Sequence, residues 1–352
     1  MMNTIKIEDL KTFCQAALRQ EGMREDYAAI CAEVLVETDA WGTHSHGTKN
    51  LHNYIRKFRV GGADIYAEPE IVVDRAAFAI IDAHKALGMI PSYQAMNLAC
   101  DKARQTGLGL VAVRNSCHFG AAGYYANMAA KRGMVGLSVS NVDPNMTAPG
   151  AKGMLIGNNP LAYAAPLPDG QTMFLDIAMS NVASLKVIQA RKDGRPVPDT
   201  WIVDRDGLPT TDPSHYPEEG AMQPMAAHKG YGLAILVELL TGGLSGGGMS
   251  MMGDIVSWVF QLDKPNNVCH TFIAIDAEQF LGKDVLAERT QAMQERLHQA
   301  PKARGSTRIF TPGEIEWDKH KVAEEKGLTL PDDVLTSLQG LAQDCGLELG
   351  LY

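Results

Sequence analysis

The chain has 352 residues, 45% of them hydrophobic and 21% charged, which is ordinary for a soluble globular protein and argues against disorder. A formal net charge of −9 repels phosphate backbones and anionic headgroups, so nucleic acid is not an expected partner. Apolar runs such as Leu233 to Leu240 are interrupted by Glu238 and fall far short of the roughly 20 residues that span a bilayer; with no secretory leader read at the polar N-terminus, a cytoplasmic protein without membrane contact is expected.

The length exceeds what one hydrophobic core usually serves and favours two lobes. Apolar residues at three- and four-residue spacing predict helices through Ile7 to Leu18, Tyr27 to Leu35 and Leu51 to Phe58, with the polar loop Thr43-His44-Ser45-His46-Gly47 before the third. From about Glu70 short apolar runs alternate with helical stretches. Strands are expected at Glu70–Val73, Phe78–Ile81, Leu108–Val113, Met134–Ser140, Leu161–Ala165, Met173–Ile177 and Phe272–Ile275, with helices at Pro91–Arg104, Tyr124–Lys131 and Ala183–Ala190. Pro168-Asp169-Gly170 reads as a hairpin turn, Pro196 to Pro213 as a long loop, and Lys229 to Leu240 as a helix apolar nearly all round and therefore buried. The stretch from Lys283 onward is helical and more polar. This order suggests a strand-rich lobe inserted into a helical one.

Six cysteines, at positions 14, 31, 100, 117, 269 and 345, include no C-x-x-C pair and read as buried reduced thiols. A G-x-G-x-x-G loop between strand and helix is absent, so a dinucleotide, if bound, sits on another framework than a Rossmann fold. The densest chemistry is His44-Ser45-His46-Gly47. An imidazole there suits proton transfer to an oxygen; the competing readings are helix capping by Thr43 or Ser45, and zinc binding with help from His118. Ser116-Cys117-His118-Phe119-Gly120, at a strand end, offers His118 as a second acid/base candidate or as a structural cap, while Cys117 lacks a persuasive partner base. Asn141-Val142-Asp143-Pro144 and Gly157-Asn158-Asn159-Pro160 are loops whose amides suit a ribose or a carboxamide. Lys229-Gly230-Tyr231-Gly232 offers a cation and free amides to an anion, and Thr311-Pro312-Gly313-Glu314 precedes another helix.

Taken together, these motifs, with Asp176-Ile177-Ala178 and Gly207-Leu208-Pro209-Thr210-Thr211-Asp212-Pro213, resemble the type 2 malate/L-lactate dehydrogenase family over almost the whole chain. The family includes ureidoglycolate, sulfolactate and 2,3-diketogulonate oxidoreductases. The resemblance implies an α/β fold whose non-Rossmann, mixed-sheet cofactor-binding lobe (71–279) is inserted in a helical lobe built from both chain ends (1–70 and 280–352). It implies a homodimer with shared clefts, NAD or NADP as cofactor, and hydride transfer on a small 2-hydroxy or 2-oxo acid. The alternatives carried are a cyclic imino acid reductase and a zinc-dependent hydrolase; no metal site is otherwise expected. By resemblance His46, Ser45 and His118 are catalytic, and Tyr54 and Asn50 lie at the substrate. Asn141, Asn159, Asp176, Ile177, Ala178, Met179, Ser180, Lys186, His228, Lys229, Pro312, Gly313 and Glu314 lie at the cofactor. One departure stands out: many members carry an arginine three residues after the H-S-H-G glycine, and this chain has Lys49-Asn50 there, without the planar fork that grips a carboxylate.

Overall fold

A computed structural model describes residues 4–351. The chain opens with β1 (Thr4–Ile5), α1 (Ile7–Gln20), α2 (Glu25–Ala40) and α3 (Leu51–Arg59). The sheet region follows with β2 (Glu70–Asp74), β3 (Phe78–Asp82), α4 (Met89–Thr106), β4 (Leu108–Ser116), α5 (Ala122–Ala130), β5 (Met134–Ser140), β6 (Leu161–Pro166) and β7 (Thr172–Ile177). Next come α6 (Ser184–Lys192), β8 (Ile202–Val203), β9 (Pro209–Thr210), β10 (Ala221–Met222), α7 (His228–Glu238) and β11 (Val268–Asp276). The chain ends with α8 (Lys283–His298), α9 (Glu314–Lys326), β12 (Leu328–Thr329) and α10 (Asp332–Cys345).

Seven strands form one sheet in the order β2-β3-β4-β11-β5-β6-β7, with β3 and β4 parallel and every other pair antiparallel. The latest strand in sequence, β11, is thus central. This mixed order is the expected departure from a Rossmann sheet. Helix α4 packs on β4 and β11, and α5 on β5 and β6, so the small residues Gly109 and Gly136 let the helix backbones come close: a Cβ on Gly109 would stand 1.9 Å from the Ala99 carbonyl oxygen. One apolar cluster joins these helices and the sheet to α1, α2 and α10, while β1 pairs with β12 and ties the two chain ends together. A second, smaller cluster centred on Met146, Ile156, Met179, Val187, Met222 and Ala234 carries α6, α7 and the β10-β8-β9 sheet.

Two expectations need correction. The stretch 196–213 is not all loop, since β8 and β9 pair as a short hairpin turning at Gly207 (φ +83°); two-residue strands are too brief to leave a periodic pattern. Helix α7, which continues as a π-helical turn over Leu239–Gly243, is not buried all round. Ala234 belongs to the second core and Val237 is fully buried, but Leu233, Leu236, Leu239 and Leu244 are 40–57% exposed. All six cysteines are free thiols and buried. Among the described residues no helix is long and apolar enough to cross a membrane.

Candidate active site

The loop after α2 is built on a buried carboxylate. Asp39, 1% exposed, meets His44 Nδ1 at 2.9 Å through Oδ1, while its Oδ2 accepts from the Thr48 N–H (2.9 Å) and Thr48 Oγ1 (2.5 Å). Gly47 lies so close to it that a Cβ there would fall 2.1 Å from Asp39 Oδ1, which explains the glycine of the H-S-H-G motif. Asn50 Nδ2 donates to the Ser45 carbonyl (2.9 Å), and the His46 N–H donates to Thr43 O (3.0 Å). The strapped loop turns His46 outward, exposed, with Nδ1 2.8 Å from Ser45 Oγ and, among the described residues, no partner on Nε2. Surrounding protein displaces much of the water that would solvate its charge, which lowers its pKa below the ordinary histidine value.

The second imidazole comes from the end of β4. Opposite Cys269 this strand carries an extra residue, and Asn115 takes a positive φ of 54° there; Asp82 Oδ2 holds the bulge by accepting from Asn115 Nδ2 (2.8 Å) and Arg114 Nε (3.0 Å). The chain then leaves the sheet through Ser116 and Cys117 to His118. Behind it His270, fully buried, bridges Ser140 Oγ (2.8 Å) and Ser116 Oγ (3.0 Å) and stacks on Phe119. Burial lowers the His270 pKa to about 3, so this clamp stays neutral. His118 stands 5.6 Å from His46 between ring centroids, with Nδ1 2.6 Å from Tyr54 Oη and its face stacked on Trp258 at 4.4 Å. Burial, and then the neighbouring His46 and His270, put its pKa well below the ordinary value. His46, Ser45, His118 and Tyr54 therefore stand together at one site. Asn50 is different: its donor is engaged by the Ser45 carbonyl, and Lys49 is paired with Asp333 (2.5 Å), so neither reproduces an arginine fork.

The residues expected at the cofactor divide into two sets. Asp176 is exposed at the mouth of the cleft and accepts the Gly123 N–H (2.7 Å) at the start of α5, five residues after His118. The protein around that carboxylate raises its pKa to about 6, against the lowering effect of the Gly123 bond. Pro312 O accepts from Phe174 N (3.2 Å), which sets Pro312 and Gly313 against β7. Met225 N donates to Met179 O (2.7 Å), so the start of α7, with exposed His228 and Lys229, docks on the turn through Ile177 and Ala178; Lys186 is exposed in the first turn of α6. Ala226 and Ala227 precede that start with φ of 47° and 54°, a backbone strain of the kind that gathers at functional sites.

Five expected contacts look inward instead. Asn141 is fully buried, giving Nδ2 to Gly248 O (2.9 Å) and taking the Cys269 N–H (2.7 Å) on Oδ1. Asn159 is also fully buried and braces Val142 N, Ala234 O and Glu238 Oε1. Met179 is a core side chain, and the Ser180 hydroxyl donates to Val182 O (2.7 Å). Glu314 Oε2 reaches back to the Thr311 N–H (2.6 Å) and to His298 (3.0 Å), capping α9. The free amides expected at the α7 start are likewise engaged: those of Lys229, Gly230 and Tyr231 donate to Ala226, Met225 and Ala227. Sequence reasoning also missed Trp258, Asp39 and His270. Asp39 sits five residues before His44, the first histidine of the motif, the one cue that was available.

Residues 5–339 match the family model described as malate/L-lactate dehydrogenase. The malate dehydrogenase of Pyrococcus horikoshii is 34% identical, over 96% of this chain and 94% of that protein, and a structure of the malate dehydrogenase from Pyrococcus horikoshii OT3 gives a TM-score of 0.88, covering 98% of this chain and 96% of that one. The ureidoglycolate dehydrogenase (NAD(+)) of Escherichia coli is 31% identical over 94% of this chain and 93% of its own length. The structure of delta1-piperideine-2-carboxylate reductase from Pseudomonas syringae gives a TM-score of 0.85 at 30% identity, covering 96% of this chain and 99% of that one.

Proposed function

Because the chain belongs to the malate/L-lactate dehydrogenase family, we propose that it transfers a hydride reversibly between NAD or NADP and a small 2-hydroxy acid or its 2-oxo acid, with His46 as the acid/base. The observation that carries this reading is the exposed His46 ring beside His118, its Nε2 without a partner among the described residues and its Nδ1 steered by Ser45. When bound, the nicotinamide supplies or takes the hydride. His46 takes the hydroxyl proton as the acid is oxidised and returns it to the C2 oxygen on reduction. In the tautomer that donates Nδ1–H to Ser45 Oγ, the lone pair for that proton sits on Nε2. The donor set fits a dinucleotide: exposed Lys186, His228 and Lys229 supply positive or proton-donating groups for phosphate and ribose, and Asp176, Ile177, Ala178, Pro312 and Gly313 line the adjoining wall.

Reduction of a cyclic imino acid and zinc-dependent hydrolysis have weaker support. Relatives at 34% and 31% identity are named for hydroxy acids, and among the described residues no three His, Cys, Asp or Glu side chains stand together as a ligand set. The exposed leucines of α7 support pairing with a second copy, since a contiguous apolar face rarely stays in water, and the six buried thiols suit a reducing, cytoplasmic setting. The test is His46→Ala. Reduced-nicotinamide binding, followed by fluorescence, is expected to persist while turnover of a panel of 2-oxo acids falls by about 10²–10⁴-fold; unchanged turnover would remove the assignment.

A further inference from the structure

We propose that His118 works as a hydrogen-bond donor to an oxygen of the 2-oxo acid head group, locked by Tyr54 and Gly120 in the tautomer that carries its proton on Nε2. The inference rests on the hydroxy-acid reading above and assigns the second imidazole of its cleft. The lock follows from donor and acceptor counting. The Gly120 N–H points at His118 Nδ1 from 3.4 Å, and a backbone N–H only donates, so a proton on Nδ1 would meet it head-on. Tyr54 Oη, 2.6 Å from the same nitrogen, is then the second donor, and it is 1% exposed inside the core, where a phenol keeps its proton. With Nδ1 accepting, the one proton of the neutral ring sits on Nε2, which has no partner among the described residues. The ring is steadied in this orientation by the stack on Trp258 and by the Asp82-held bulge that delivers it.

Neutrality has support in the environment: burial, and then the neighbouring His46 and His270, disfavour the charged form of His118. The two histidines divide the work between them. His46 moves the proton; His118 polarises or anchors. The donor also addresses the missing arginine, because Lys49 and Asn50 are both engaged elsewhere and a single neutral N–H takes up part of the grip on the head group. Tyr54 is then a positioning residue, with its hydroxyl on the histidine.

Two measurements on the full-length protein test this. In nitrogen NMR of the free, ¹⁵N-histidine-labelled protein, His118, assigned by its loss in His118→Leu, is expected to show a protonated Nε2 and an unprotonated Nδ1 without titrating between pH 6 and 8, and Tyr54→Phe to populate the other tautomer. A titrating or Nδ1-protonated His118 overturns the proposal. In kinetics, His118→Gln, which keeps a donor near the Nε2 position, is expected to lose about tenfold in kcat and retain the shape of the pH profile, against about a hundredfold or more for His118→Leu. If Gln is as inactive as Leu while both bind reduced nicotinamide, His118 is an acid/base and the donor role fails. Absence of 2-oxo acid turnover by the unmodified protein would refute the hydroxy-acid reading instead, and the NMR result would still judge the tautomer.

Discussion

Asp39 Oδ2 takes two hydrogen bonds from Thr48, one from its backbone N–H at 2.9 Å and one from its hydroxyl at 2.5 Å, both groups fully enclosed. The H-S-H-G loop is thereby closed on a charge at its base, and the direction of His46 is set there. Asp39→Ala leaves the Thr48 donors and His44 without their acceptor in a dry site, and we expect a loss of about 3 kcal/mol. Thr48→Val removes only the hydroxyl bond and should cost about 1 kcal/mol. Denaturant melts of both and of the double variant check this; a strictly additive pair would mean that the two groups do not cooperate.

The His46 imidazole has its pKa lowered by loss of hydration, so near neutrality it is mostly the free base. Oxidation needs the base and reduction the acid. We therefore expect kcat/KM for hydroxy-acid oxidation to rise with pH through a midpoint below about pH 6.5, the ordinary histidine value, and kcat/KM for 2-oxo acid reduction to fall over the same range. Initial rates in both directions across pH 4.5–9 are the check. A midpoint above the ordinary value would place the proton on another group.

How much of this was legible from the residues depends on range. The helices α1 to α3 and the strands of the large sheet announced themselves by local apolar period, and the His46 and His118 motifs by density of polar chemistry in short segments. Trp258 did not, because residues 253–267 carry no period and its stack on His118 joins positions 140 apart in the chain. Asn141 and Asn159 misled for the opposite reason: turn-forming amides after strands look alike whether they face a ligand or brace a Gly248 or Glu238 behind the sheet. The pattern of α7 was read correctly as apolar on all sides, but a sequence does not say whether the cover comes from its own chain or from another.

That uncovered face makes a prediction of its own. Leu236 and Leu239 lie on the exposed side of the helix and its π-helical continuation, in contrast to the buried Ala234 and Val237. Leu236→Glu and Leu239→Glu are expected to leave the fold intact and convert a dimer into a monomer at micromolar concentration, as read by sedimentation velocity. The charge would be buried at the interface without a partner, a cost of several kcal/mol. A monomeric unmodified chain would remove the premise. Monomeric variants with full turnover would show that each cleft is complete in one copy.

Far from the cleft, Glu37 on α2 and His320 on α9 form a half-enclosed pair at 3.0 Å that holds the C-terminal helices against the first ones. For Glu37, burial works to raise the pKa, but the hydrogen bond and charge of His320 outweigh it and the net direction is down. For His320, the bond to Glu37 outweighs burial and the direction is up. The signs fix a window. The histidine contributes fully below its unfolded pKa, about 6.5, and its contribution fades as pH rises through the higher folded value. The carboxylate contributes fully above its unfolded pKa, about 4.3, and is lost as pH falls through the lower folded value. The pair is therefore strongest between roughly pH 4.5 and 6.5. We expect His320→Gln to lower the melting temperature by a degree or two more at pH 6 than at pH 8.5, on the order of 1 kcal/mol in a chain of this size. Calorimetric scans at the two pH values read this directly, and an equal loss at both would show that His320 acts there through packing alone.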